Sequence, residues 1–278
     1  MLDGWQLNPS VWAYVALMGI LYTAGARRSR LRRTGPVAGR ILAFYAGLLM
    51  VVVALESPID GLAERYFWLH MLQHELLLMI APPLLLLGKP VLTIWRVVPL
   101  GTRRVTARKL VKRNRLQSAW RSTGSWRSTR AAWLLFIATF ALWHIPYVYD
   151  LTLRVPAVHV LEHGLFFGTA LNFWARVISS PPIHRLRERT QLVAYLGGAA
   201  LFDNVFDTLF VAAPQPLYSH YANLVRHPGA LSALTDQSIA GGVMNLIGST
   251  MLYGALVITW RSGGAARRNV GAAMRPAT

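Results

Sequence analysis

The sequence predicts an all-α, polytopic membrane helix bundle of seven transmembrane helices, with the N-terminus outside and the C-terminus cytoplasmic. Three observations predict it. The 278 residues are 54% hydrophobic and only 14% charged, with a mean hydropathy of +0.37, too apolar for an ordinary soluble domain. The apolar residues run in continuous stretches of about 20, which is the length that crosses a ~30 Å hydrocarbon core, and lack the alternation of a membrane β-barrel. The basic residues, finally, are crowded into alternate loops.

Taken in order, the expected spans are Val11–Ala26, Gly39–Leu55, Trp68–Leu87, Ala131–Tyr149, Ala157–Ile178, Gln191–Ala212 and Gln237–Trp260. Met1 to Ser10 has no basic region ahead of the first span, so that span is expected to be a retained helix and not a cleaved signal peptide. Between spans one and two lie Arg27, Arg28, Arg30, Arg32, Arg33 and Arg40. The third span contains Pro82-Pro83, which predicts a kink and freed backbone carbonyls. Residues 96 to 130 form a basic loop with interspersed Leu, Val and Trp, suited to lie in the interface and attract anionic lipid. The fourth span reaches Trp143-His144-Ile145-Pro146, where it meets the opposite surface. Arg176, Arg185, Arg187 and Arg189 follow span five, and Arg261, Arg267, Arg268 and Arg275 follow span seven. The opposite loops hold only Arg65, Arg154 and Arg226, and Lys89 lies just past the inner end of span three. The net charge of +18 is therefore explained by topology. Nothing in the chain looks like a nucleic-acid module, and a single membrane domain over residues 1–278 is the economical reading.

The orientation brings five histidines to one depth near the outer face. His70 and His74 lie at the outer end of span three, His144 at that of span four, and His159 and His163 at that of span five. Each i, i+4 pair projects from one face of its helix, and ionisable groups at membrane depth mark functional sites. His184 falls in a cytoplasmic loop. His220 and His227 fall in the outer loop between spans six and seven, as lids or as solvated residues. The chain has no cysteine, which excludes thiolate ligands. Met71 lies beside His70, Met50 ends span two, and Met244 lies a turn or two into span seven. Imidazole with thioether favours copper, especially Cu(I), over zinc. Glu75 and Glu162 adjoin histidines but lie one residue off their faces. Together with Asp207, Asp236, Gln237 and Met244 they are candidates to orient the imidazoles, to balance charge or to serve as alternative ligands; Asp203 precedes Asp207 on span six.

From about Glu56 to Trp260 the chain resembles the CtaG-type cytochrome c oxidase assembly factors, a bacterial family of seven-span membrane proteins. The segments that carry the resemblance are His70-Met71-Leu72-Gln73-His74 continuing to Ala81-Pro82-Pro83-Leu84, Leu142-Trp143-His144-Ile145-Pro146, His159-Val160-Leu161-Glu162-His163, and Asp236-Gln237 with Gly241, Gly242 and Met244. Asn245 stands where the family's usual tryptophan follows that methionine. The resemblance implies copper handling during maturation of a respiratory oxidase in the bacterial cytoplasmic membrane, with an oxidase subunit as client. The expected role is a binding and transfer protein and not an enzyme. In that role Cu(I) from an outer-face donor is held by His70, His74, His159 and His163, with Met71 or His144 as a movable extra ligand.

Two other chemistries use the same residues. An intramembrane zinc hydrolase would need three histidines, a water and a general base such as Glu75, Glu162 or Asp236, but the chain has no HExxH motif. A b-type haem protein would need opposed axial histidines, and i, i+4 pairs on one side of a helix suit a compact ion better.

Overall fold

A computed structural model describes residues 5, 7–31, 35–112, 125–183, 185–186, 188–224 and 231–273. His184, His227 and residues 113–124 of the basic loop lie outside them. The described residues form helices and connecting turns, with no strand.

Helix α1 (Pro9–Arg30) starts where the Asn8 side chain accepts the Ser10 N–H and Pro9 occupies the first turn, and it ends in Arg27, Arg28 and Arg30, which complement the helix dipole. Helix α2 (Ala38–Glu56) gives way at Ser57, whose hydroxyl caps the short α3 (Pro58–Ala63). Helix α4 (Phe67–Leu87) carries the first histidine pair. Lys89, in a left-handed conformation, then starts α5 (Pro90–Ile94), and α6 (Leu100–Lys112) begins the basic loop. Helices α7 (Trp126–Trp143) and α8 (Pro146–Arg154) meet at a 72° bend around His144. The chain continues through α9 (Pro156–Val177), α10 (Arg189–Ala212), the single turn α11 (Ser219–Asn223) and α12 (Ala233–Ala273).

Two boundaries differ most from the sequence expectation. The fourth apolar segment does not run straight to Tyr149, because Pro146 supplies no N–H to continue α7 and instead begins α8. The last helix continues beyond Trp260, to Ala273.

Among the described residues, four helices are long and apolar enough to cross a membrane: α1, α2, α4 and Ala233–Arg261 of α12. The bent pair α7 and α8 is a fifth if counted as one span. Helices α9 and α10 have 22 and 24 residues, enough for about 33 and 36 Å at 1.5 Å per residue. Their mean hydropathy is lowered by His159, Glu162, His163 and Arg176 on one and by Arg189, Asp203 and Asp207 on the other.

The main core lies among α4, α7, α9, α10 and α12, where Phe67, Leu78, Phe166, Phe173, Trp174 and Leu196 are buried. Helices α10 and α12 form the most extensive helix pair. A smaller core joins α1, α2 and the end of α4 through Tyr22, Phe44, Leu48 and Leu85. There α1 approaches α5 so closely that a Cβ on Gly25 would lie 2.0 Å from the Thr93 carbonyl oxygen.

The prolines of α4 free a backbone carbonyl, as the sequence predicts. Pro82 has no N–H for the Leu78 carbonyl one turn earlier, and the helix widens into a π-helical turn over Leu76–Ile80. The Leu78 carbonyl accepts the indole N–H of Trp174 on α9 at 3.0 Å. This bond ties together the two helices that carry the histidine pairs. Trp174→Phe keeps a ring but removes the donor, so it should destabilise the bundle by about 1–3 kcal/mol, the cost of one buried unpaired carbonyl. Thermal unfolding in detergent measures it.

Candidate metal centre

Helical spacing builds the centre. His70 and His74 stand one turn apart on α4. On α9, His159, Glu162 and His163 have i, i+3, i+4 spacing, so all three share a face. The ligand-capable atoms of His70, His159, Glu162 and His163 lie within 4.8 Å of one another. His74 adjoins them, with its Nε2 2.9 Å from Nε2 of His70 and 3.8 Å from Oε1 of Glu162. His70, His74, Glu162 and His163 are all buried, whereas His159 is partly exposed.

Hydrogen bonds from outside the centre orient its imidazoles. The Tyr221 hydroxyl donates to the Ala63 carbonyl at 2.6 Å, so its oxygen is left to accept Nδ1–H of His70 at 3.2 Å. Neutral His70 then presents the lone pair of Nε2 inward. His144 caps α7 and donates Nδ1–H to the Phe140 carbonyl at 2.8 Å, which leaves its Nε2 as the lone-pair nitrogen. Its ring stacks on Phe140 and lies 6.2 Å from that of His74. His144 therefore flanks the group of four without joining it.

Nε2 of His144, His159 and His163, Nδ1 of His74 and both carboxylate oxygens of Glu162 are buried and have no hydrogen-bond partner. Each such orphan costs about 1–3 kcal/mol, and buried polar atoms are nearly always satisfied. The unpartnered atoms of His159, His163 and Glu162 converge on one spot, which fits a metal ion, for which lone pairs are the bonding groups.

The other sequence candidates lie elsewhere. Met71 and Met244 are buried in the main apolar core. Asp236 accepts the backbone N–H groups of Phe67 and Trp68, each at 3.1 Å, and so caps α4 from α12. Gln237 accepts the N–H of Leu217 at 2.7 Å and donates to the Phe210 carbonyl at 3.2 Å, bracing the segment that carries Tyr221. Glu75 faces Asp203 and Asp207 of α10, and the Asp203 carboxylate rests against Gly248 of α12. These three acids form a separate buried group, with Asp207 unpartnered at both oxygens. His220, half-buried, donates Nε2–H to the Glu64 carbonyl at 3.1 Å and its backbone N–H to Asp150 at 3.4 Å. Sequence reasoning missed Tyr221 and Asp60. Asp60 accepts the Gln73 amide N–H at 2.6 Å; burial pushes its carboxyl above the usual range, the Gln73 bond opposes that, and the neighbouring charges of Glu64 and Glu56 add to it. The Tyr218-Ser219-His220-Tyr221 run was the one available signal for Tyr221.

The fold and this centre define a membrane-type helical protein with a buried imidazole-carboxylate cluster. The chain belongs to the cytochrome c oxidase caa3 assembly factor family, whose family model matches residues 20–262. It is 25% identical over 273 residues to uncharacterized proteins of Mycobacterium bovis and Mycobacterium tuberculosis, covering 94% of this chain and 40% of each relative. An uncharacterized protein of Mycobacterium leprae is 35% identical over 88 residues, 31% of this chain and 13% of that one. The chain thus spans about 40% of the length of the first two relatives. No solved structure matches it.

Proposed function

We propose that the chain is a membrane-embedded carrier that binds Cu(I) and hands it to a cytochrome c oxidase subunit during assembly, without being an enzyme. The observation that carries this reading is the convergence of ligand-capable atoms from His70, His159, Glu162 and His163, of which those of His159, His163 and Glu162 are buried and unpartnered. Family membership supplies the oxidase context. Charge supports a monovalent ion. One carboxylate among neutral imidazoles balances Cu(I), whereas a divalent ion would leave net positive charge in a water-poor interior, where charge is costly.

Helices α9 and α10 are read as crossing the bilayer too, their polar residues facing the bundle interior, which completes seven spans. The inside-positive rule then puts the basic loops in the bacterial cytoplasm and the metal centre at the outer face, where a donor and the client would meet it. The basic loop rests on membrane lipid. His74 and His144 keep free nitrogens beside the group of four, and this surplus lets an incoming ligand bind before an outgoing one leaves.

Metal analysis by mass spectrometry of the detergent-purified protein, loaded with copper under reducing conditions, tests the proposal. About one copper per chain is the result expected. The same donors suit zinc, and zinc retained in preference to copper would favour the hydrolase chemistry instead. Neither metal bound would leave the histidines without a transfer role.

A further inference from the structure

A cleft of about 520 Å³ opens between α1, α2 and α9 and reaches the candidate centre, with His159 and His163 in its wall. Of the four converging donors, His159 is the one with partial exposure, so the cleft is the way in for anything that approaches the cluster from this side. Asp60 and Glu64, at the α3 end, line it as well. Its volume is far larger than a bare ion needs and falls in the range of about 300–1,000 Å³ typical of sites for small organic ligands. Soft monovalent copper is selected by thiolate and thioether ligands; carried on neutral thioethers the complex is a cation, and the acidic side chains of the cleft are its electrostatic complement.

We propose that this cleft is the loading port of the centre, and that it seats a short Cu(I)-bearing peptide segment of a partner protein while the metal passes to His159. This rests on the copper reading above. The acids attract the cationic complex, the open volume receives the segment that carries it, and His159 makes the first bond from the new site. His163 and His70 then take the ion deeper as the peptide ligands depart.

Gly164 provides the test, because it lines the cleft and a Cβ there would meet nothing within 4 Å. Gly164→Leu should fill the port without disturbing the helix contacts behind it. The second variant is Asp60→Asn with Glu64→Gln. Loading is followed from two sources: Cu(I) on a synthetic methionine-rich peptide, and Cu(I) as its acetonitrile complex. Both variants should reach parental copper stoichiometry at equilibrium. From the peptide they should load at least about tenfold more slowly, the scale that steering and access contribute to association; from the acetonitrile complex Gly164→Leu should load near the parental rate. Parental loading rates from the peptide in both variants would overturn the port and leave the metal centre standing. A parent that binds no copper at equilibrium would overturn the copper reading itself, and the port with it.

Discussion

Replacing His70 and His163 together with alanine should weaken Cu(I) binding by more than about a thousandfold, on the order of 4 kcal/mol, with the helical content of the bundle retained. These residues come from different helices, and between them they span the centre. Without them only His159 and Glu162 remain of the converging group, both on α9, and two donors from one helix face cannot enclose the ion. Retention of fold is expected because Tyr221 keeps its bond to the Ala63 carbonyl and the apolar core around Phe166 and Leu78 is untouched. The comparison variant is His74→Ala with His144→Ala. It removes the flanking nitrogens but leaves the four converging donors, so it should still bind copper stoichiometrically and release it more slowly to a competing chelator. Competition titration with circular dichroism on the same samples separates the two variants. Equal binding losses in both would mean that the centre is not organised around the group of four.

Glu162→Gln should act in opposite directions on the empty and the loaded protein. The Glu162 carboxylate is fully buried and neither oxygen has a hydrogen-bond partner, a costly state for an anion unless a cation arrives. Glutamine has nearly the same shape and no charge. The metal-free variant should be more thermostable by at least about 1 kcal/mol, the lower end of the penalty for an unsatisfied buried group. Its copper affinity should fall by about 10- to 100-fold, the range seen when a group tuning a metal site is lost. Thermal midpoints with and without copper read both effects, since a ligand that binds only the folded state stabilises it in proportion to its affinity. A variant unchanged in both would show that Glu162 neither faces the ion nor is strained without it.

The histidines were legible because helical spacing is local. Two i, i+4 pairs and one helix-terminal histidine placed themselves once the apolar segments were orientated. Glu162 was misjudged for a related reason: counted from His163 it lies off the face, but counted from His159 it is an i+3 neighbour on it. Met71 has the opposite history. It adjoins His70 and stands three positions before His74, the same offsets that Glu162 has to His163 and His159, yet its side chain is buried in the apolar core, so spacing alone does not separate the two. The cap that Asp236 places on α4 and the bond between Tyr221 and His70 join residues more than a hundred positions apart, and no periodicity encodes such contacts. Helices α9 and α10 fall short of the hydropathy of a membrane span because they carry His159, Glu162, His163 and Arg176 on one and Arg189, Asp203 and Asp207 on the other. The bend at His144 was not anticipated, since the expected span ran on to Tyr149, although Pro146 is the residue that cannot continue the helix.

The most direct test is X-ray absorption at the copper edge of the Cu(I)-loaded protein. The account predicts a first shell of nitrogen and oxygen alone, with the multiple-scattering pattern of imidazole rings, because His70, His159, His163 and Glu162 converge while Met71 and Met244 lie in the apolar core. Sulfur in the first shell, or the absence of imidazole scattering, would contradict it.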